Sequence, residues 1–470
     1  MSTIDNIKNQ SQIWSWLDSS QSYQLLAGQV QSGKTREIIN YCYWSVHEQK
    51  KSVLLVFQNI TADVHQFRSR VASFHEQNAV SVADQLPIRD IRDYDPDTVG
   101  VYLAIGNFMQ LRKFTESLDA TPTQFTMCLD EADLCVKSGN NKSHLEKLLG
   151  PLKQRAAHIL GVTATNLAIL FHEQLVDSMM TLQVPDDYHS YADLTKVILP
   201  SSNADVARAA AYVSFTDRPS GFMLHIEAHK KQRQLMVAQL AAKQNPTVLF
   251  IVYNGNGTYV FPHAARSEIL GGETDHPTAC MKFPVKVGIQ EILQRVSDSS
   301  ITHLSLVSGR MAGRGVSFVS TDFKYHITDQ LYMPNRQVHD EGMIQSLRIL
   351  GRYQTRSELR LHTYKFVIRR MDSSYGICDK YNNELTNTPD RVADSVKSVR
   401  IVKMKPNFSR KMVTKYLKFK ENSEDYMSFD GMGDIPEEVP KEDTKPPPTN
   451  NDVGTAEMND VINSLAAIQF

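Results

Sequence analysis

The sequence predicts two α/β domains in tandem, each built on a mainly parallel sheet, followed by a disordered acidic C-terminal tail. Three observations carry this. Residues 22–184 alternate short apolar runs with amphipathic stretches, the runs lying at 22–27 (SYQLLA), 52–57 (SVLLVF), 99–105 (VGVYLAI), 125–130 (FTMCLD) and 157–163 (AHILGVT). A second alternating block begins after about residue 205, with runs at 221–226 (GFMLHI), 247–253 (TVLFIVY), 301–307, 325–331 and 361–368. Beyond residue 385 the alternation stops and charge segregates.

Each element follows from its local pattern. Strands of four to seven residues separated by helical stretches, such as 34–47 and 108–118, imply βαβ units. Near-continuous apolar runs suit strands covered on both faces. In the second block, 227–243 and 340–350 read as helices. The expected boundaries are an N-terminal extension at 1–21, a first domain at 22–190 and a linker at 191–220. A second domain at 221–385, a basic segment at 386–420 and the acidic tail at 421–470 follow.

The formal net charge of the 470 residues is -1, which hides a division. Residues 1–420 hold 49 Lys/Arg and 40 Asp/Glu, or +9, whereas 421–470 hold 2 and 12, or -10. The tail has too few large apolar residues to offset its own ordering entropy. Its last stretch, 455–470, has apolar residues at 458, 461, 462, 465, 466 and 468, a spacing that suits a short docking helix.

A hydrophobic share of 41% with 22% charged residues excludes wholesale disorder, collagen-like repeats and a coiled-coil rod. Five scattered cysteines without a C-x-x-C pair exclude a disulfide framework and a zinc ribbon, and point to a reducing compartment. With neither an apolar signal core nor an apolar run long enough to span a bilayer, the expectation is a soluble intracellular protein without a membrane partner.

Residues 28–35 (GQVQSGKT) match G-x-x-x-x-G-K-[ST] between an expected strand and an expected helix. Small residues there let successive backbone N–H groups close around phosphate oxygens, and the helix N-terminus adds a favourable dipole. Gly28, Gln31, Ser32 and Gly33 would form the cradle. Lys34 would neutralise the β- and γ-phosphates of ATP, and Thr35 would place a hydroxyl on Mg²⁺. Asp130 and Glu131 end the apolar run 125–130; Asp130 would hold Mg²⁺ and Glu131 would polarise the attacking water. Thr163 and Thr165 in GVTAT suit either an N-cap or a coupling element. In the second block, Arg348 and Arg352 stand four apart and could share a helix face. A guanidinium delivered across a cleft would complete the site on closure.

Taken in order, these stretches resemble superfamily-two helicases and translocases. LAGQVQSGKT resembles their motif I, MCLDEAD motif II, GVTAT motif III, SGRMAGRGVSF motif V and QSLRILGRYQTR motif VI, while NPTVLFIVYNGNG lies where motif IV does. VQSGKT, VYLAIGNFMQLRKF, RGVSF and a Gln-initiated motif VI are closest to the helicase-like ATPases with a Z-one domain, found in bacterial operons, large DNA viruses and their parasites. The resemblance covers residues from about 22 to 370. It implies two RecA-like domains with ATP and Mg²⁺ between them. By it the site is Ser32, Gly33, Lys34, Thr35, Asp130, Glu131 and Gly315, with Arg352 as the first choice for the closing arginine and Arg356 as the second. Ser317 stands where many relatives carry Asp, and Arg356 sits one residue later than the usual last arginine. The implied function is an ATP-dependent helicase or translocase in DNA replication or repair, in a host cytoplasm, nucleus or virion if viral. The alternative is a P-loop switch for binding, assembly or genome packaging.

DNA is the favoured partner, with RNA open. Candidate contacts are Asn59, Thr61, Asn107 and Asn254, each of which suits a cap equally well. Residues 395–420 carry nine Lys/Arg and no acid, with Phe408, Tyr416 and Phe419 interleaved, which suits backbone neutralisation with base stacking or a solvated face pairing with the tail. Asp93, Asp95 and Asp97 do not make a calcium loop, since the sixth position is Thr98 and the twelfth Ala104. The charge division makes the tail a shield for the basic segment or an arm for a protein partner. Truncation after Lys420 is expected to tighten single-stranded nucleic-acid binding at low salt, measured by fluorescence anisotropy, with the difference shrinking as salt rises. Equal affinities would leave the tail a solvating appendage.

Overall fold

The computed structural model describes residues 3–57, 61–120, 123–135, 144–164, 176–200, 203–227, 231–271, 280–283, 287–309, 312, 316–322, 324–334, 340–353 and 358–375. The basic segment and acidic tail, with Asn59, Gly315 and Arg356, lie outside the described residues.

The first sheet contains β1 (Tyr23–Ala27), β2 (Ser52–Phe57), β3 (Ile88–Asp90), β4 (Val101–Ile105), β5 (Phe125–Asp130), β6 (His158–Thr163) and β7 (Ser178–Thr181). Their order is β3-β4-β2-β5-β6-β1-β7, and every pairing is parallel. β1 thus lies inside the sheet, and all seven C-terminal ends point to one edge. The helices Lys34–Tyr43, Thr61–Gln77, Phe108–Ala120 and His144–Arg155 make the crossovers.

β8 (Tyr188–His189) leads to the second sheet, which contains β9 (Thr195–Ile198), β10 (Gly221–Glu227), β11 (Val248–Asn254), β12 (Gly257–Val260), β13 (Met281–Lys282), β14 (His303–Ser308) and β15 (Asp329–Met333). β16 (Gly351–Arg352) pairs antiparallel with β8, and β17 (Arg360–Thr363) completes the second sheet. Its order is β13-β12-β11-β14-β10-β15-β17-β9, parallel except for β12 and β13. Gly255 and Asn256 form the two-residue turn that reverses the chain between β11 and β12.

The apolar runs are buried on both faces, as doubly covered parallel strands require. Along β10, Phe222, Leu224 and Ile226 enter one core and Met223 the opposite one. β11 divides likewise, Leu249 and Ile251 against Val248, Phe250 and Val252.

Three stretches differ from the sequence expectation. Residues 3–17 are not a loose extension: the helix Thr3–Gln10 and the turn after it bury Ile7, Ile13, Trp14 and Leu17 in the first core. The 191–220 stretch, expected as a linker, supplies β9 to the edge of the second sheet and the helix Ala204–Thr216 to its face. Apolar residues spaced along that helix, Ala207, Ala211 and Phe215, need a surface to cover. The helix expected over 340–350 stops at Gln345, and Gly351, at φ 150°, opens β16. Arg348 and Arg352 therefore share no helix face.

Two buried polar groups hold the elements in place. Asp329, fully buried, accepts from Arg218 Nη1 at 2.6 Å and pairs with His362 Nε2 at 2.9 Å, tying β15 to β17. His158 on β6 lies between Tyr41 Oη at 2.8 Å and Gln24 Oε1 at 2.9 Å, pinning the helix Lys34–Tyr43 over β1 and β6. Burial holds the His158 imidazole down at about 4. With its ordinary value of 6.5 in the unfolded chain, the imidazole takes up its proton there first, so stability falls as pH drops from about 6.5 towards 4. The expected result is a pH-dependent loss in urea unfolding of up to roughly 3 kcal/mol over that window, reduced in His158→Gln. An identical pH dependence in both proteins would refute this.

Candidate active site

The C-terminal ends of β1, β5 and β6 converge on one cleft. β1 delivers the loop 28–33, whose first residue donates from Gly28 N to Thr163 O at 3.0 Å, so the loop leaves the sheet beside β6. A Cβ at Gly28 would lie 2.8 Å from Ser32 Oγ, 3.1 Å from Lys34 Cγ and 3.2 Å from Leu182 Cβ. Gly33 (φ 95°) and Gln31 (φ 58°) are both left-handed, which turns the backbone N–H groups of the loop inward ahead of the helix N-terminus. Ser32 Oγ is buried without a hydrogen-bond partner among the described residues. Lys34 Nζ donates to Gly28 O at 3.1 Å and Gln29 O at 2.7 Å, inside the loop it follows. These features fit a phosphate chain: a Cβ-intolerant cradle, an orphan buried hydroxyl and a curled lysine at the start of a helix.

β5 ends in Asp130, and Glu131 follows in the left-handed region at φ 54°. This kink aims its backbone N–H at Asp130 Oδ1, 3.1 Å away. A cleft of about 60 Å³ is lined by Lys34, Thr35, Asp130 and Glu131 of the first domain with Gln345 and Arg348 of the second. Arg70, on the helix Thr61–Gln77, also lines it. Thr35 and Asp130 present a hydroxyl and a carboxylate in one cleft, the hard oxygen donors that Mg²⁺ takes. Among the described residues there is no group of three or more His, Cys, Asp or Glu able to hold a metal by themselves.

Burial dominates the electrostatics. It pushes Lys34 down, opposed by the charges of Glu131 and Asp130. It raises Asp130 to about 6 and Asp63 to about 7, with each cluster carboxylate raising its neighbour and Lys34, Arg70 or Arg348 opposing. The same burial lowers Arg70 to about 10. Charges this close and this dry respond strongly to one another and to any added phosphate or metal.

The domains also touch through neutral and charged hydrogen bonds. Asp133 accepts from Thr163 Oγ1 at 2.9 Å and from Gln345 Nε2 at 3.2 Å, joining β5, β6 and the second domain at one buried carboxylate. Gln31 Nε2 donates to Arg348 O at 3.0 Å and Tyr188 Oη to Val30 O at 2.6 Å, while within the second domain Arg348 Nη2 donates to Val316 O at 2.6 Å.

Of the residues expected from sequence, Gln31, Lys34, Thr35, Asp130 and Glu131 line the cleft. Ser32 and Gly33 face a separate space of about 150 Å³ on the outer side of the loop, and Arg352 lies there too. Arg352 is 67% exposed and ion-paired to Asp187 at 2.6 Å; the buried arginine in the cleft is Arg348. The helix breaks between them, which separates the two guanidinium groups. Asn107 Oδ1 accepts from Met109 N at the start of the helix Phe108–Ala120, and Asn254 is buried in a turn with Gln234. Asp63 and Arg70 have no marker in the sequence beyond spacing: they stand seven apart, two helical turns on one face. Asp133 closes the MCLDEAD stretch, where nothing in the sequence marks a separate role for it.

No protein-family model matches the sequence, and no curated protein matches it. The fold has solved counterparts. Mss116p, lacking its NTE and C-tail and bound to ssRNA and AMP-PNP, superposes with a TM-score of 0.50 at 12% identity, over 78% of this chain and 72% of that one. Dbp5 of S. cerevisiae, bound to RNA and ADP BeF3, superposes with a TM-score of 0.49 at 12% identity, over 84% of this chain and 93% of that one. The likeness to Mss116p and the two sheet orders together give two RecA-like α/β domains in tandem. At this identity the likeness is one of fold. Among the described residues no helix is long and apolar enough to cross a membrane.

Gly28→Ala tests the cradle. The added methyl meets Ser32 Oγ and the Lys34 stem, so the loop must open. Affinity for a fluorescent ATP analogue is expected to fall at least about tenfold, or 1.4 kcal/mol, with the melting temperature nearly unchanged. Unaltered affinity would remove the loop from the binding site.

Proposed function

We propose that the chain is a nucleic-acid-stimulated ATP hydrolase that works as a helicase or translocase. The observation that carries this is the single cleft lined by Lys34, Thr35, Asp130 and Glu131 from one RecA-like domain and by Gln345 and Arg348 from the other. The order of the motifs along the chain supports it independently. The Z-one-domain resemblance rests on the wording of those motifs.

In this reading the loop 28–33 holds the phosphate chain through its backbone N–H groups. Lys34 leaves its two carbonyl partners to meet phosphate oxygens. Thr35 and Asp130 hold Mg²⁺, which neutralises charge between the β- and γ-phosphates. Glu131, displaced from the strand axis by its left-handed backbone, orients the attacking water as general base. Arg348 supplies the second domain's positive charge where the γ-phosphate develops charge. Arg352, across the loop and paired with Asp187, is the second candidate for that contribution and needs a rearrangement to deliver it. Asp133 couples the site to movement, because Thr163 and Gln345 from different domains both depend on it.

The nucleic acid would track the ends of both sheets. Mss116p in its solved structure is bound to ssRNA; DNA is the partner that the sequence favours, and the basic segment 395–420 suits either backbone.

ATPase rates with no nucleic acid, single-stranded DNA and single-stranded RNA test the reading. Stimulation by either supports it. No stimulation by any nucleic acid replaces it with the P-loop switch. Lys34→Ala and Glu131→Gln are expected to lower the rate at least about 100-fold, Glu131→Gln with nucleotide affinity retained. Arg348→Ala is expected to lower kcat by about 10³ with little change in nucleotide affinity. A larger loss in Arg352→Ala than in Arg348→Ala would transfer the role to Arg352.

A further inference from the structure

Arg70 is the charged residue of the cleft lining that the hydrolytic reading leaves without a task. It lies in the middle of the helix Thr61–Gln77 and is half-buried. Nη1 donates to Thr35 Oγ1, and Nη2 donates to Ser317 Oγ of the second domain. Asp130 attracts it more strongly than Asp63 does. One side chain thus engages the hydroxyl and feels the carboxylate that are assigned to the metal, and it also grips the opposite domain.

Two cations cannot share that position. A Mg²⁺ ion on Thr35 Oγ would stand about 2.1 Å from the oxygen. A guanidinium nitrogen hydrogen-bonded to the same oxygen would then lie beside it with no anion between. Arg70 also has somewhere to go. It lines a cavity of about 690 Å³ on the far side of the cleft, among Ser69, Ser73, Asn78 and Thr321. Thr35 borders this cavity as well as the cleft, so the side chain can leave the hydroxyl without crossing packed core.

We propose that Arg70 is a built-in competitor of the metal: its guanidinium holds Thr35 and Ser317 together, and Mg²⁺ binding at Thr35 and Asp130 expels it and releases Ser317. Metal loading is thereby coupled to the grip between the domains. Ser317, which stands where many resembling proteins carry Asp, suits a grip that must be given up: a neutral hydroxyl holds the guanidinium more weakly than a carboxylate. The inference rests on the assignment of Thr35 and Asp130 to the metal.

The test is equilibrium binding of a fluorescent N-methylanthraniloyl ATP to the full chain at fixed nucleotide, titrated with Mg²⁺. Arg70→Gln is expected to lower the half-saturating Mg²⁺ about fivefold or more. Arg70→Lys, which retains the charge, is expected to stay near wild type. Ser317→Ala keeps the guanidinium but frees it, and is expected to lower the midpoint by a smaller factor. The double variant should match Arg70→Gln alone, because Ser317 acts only through Arg70. Unchanged midpoints in Arg70→Gln and Ser317→Ala, or fully additive shifts in the double variant, overturn the proposal. Should Arg70→Gln not fold, the Ser317→Ala midpoint decides by itself. Wild-type protein that binds no nucleotide at any Mg²⁺ concentration removes the active site as well. Nucleotide binding without stimulation by nucleic acid leaves this inference standing and overturns only the helicase reading.

Discussion

The structure depends on gathering six charges where water is largely displaced. Lys34, Arg70 and Arg348 are set among Asp63, Asp130 and Glu131, and burial opposes the charged forms of Lys34, Asp63, Arg70, Asp130 and Arg348. None of these groups would stay there alone, since an isolated buried charge costs several kcal/mol or more. They stay because three elements from the first domain and one from the second bring opposite signs within reach. The balance is incomplete: Asp130 and Asp63 are left well above the usual carboxylate range. Under the proposed function, a phosphate chain and a divalent cation would each shift this balance.

The two sheets make that convergence possible. Parallel strands place all their C-terminal ends on one edge, so the phosphate loop after β1, the acidic pair after β5 and Thr163 at the end of β6 are neighbours despite their separation along the chain. The second sheet offers Gln345 and Arg348 to the same edge from a non-helical turn after the short helix Asp340–Gln345. Asp133 then joins the two halves through Thr163 and Gln345, a connection whose loss would uncouple the domains without touching the phosphate cradle.

Much of this was legible along the chain. Apolar runs of strand length separated by amphipathic stretches announced two α/β blocks, and the pattern around residues 28–35 announced a loop between a strand and a helix. The acidic pair was legible because it ends an apolar run. Other features were not. The helix over 340–350 had an adequate pattern, yet Gly351 in a left-handed conformation diverts the chain into a short ribbon with β8. Residues 3–17 and 195–216 lacked strong periodicity, and only the surfaces they cover explain their order. Nothing along the chain marked Arg70, whose partner Ser317 lies in the opposite domain.

The sequence by itself determined the local chemistry: which backbone can wrap a phosphate, which strand ends in two carboxylates, and where positive and negative charge separate between residues 1–420 and the tail. Those properties are set by residue type and near neighbours, so periodicity and spacing reveal them. Only the tertiary structure decided which arginine enters the cleft, that Asp133 bridges the domains and that Arg70 sits on Thr35. Each of these is a contact between residues at least thirty positions apart, set by how two sheets meet. Burial and charge pairing are properties of that meeting and of no single segment.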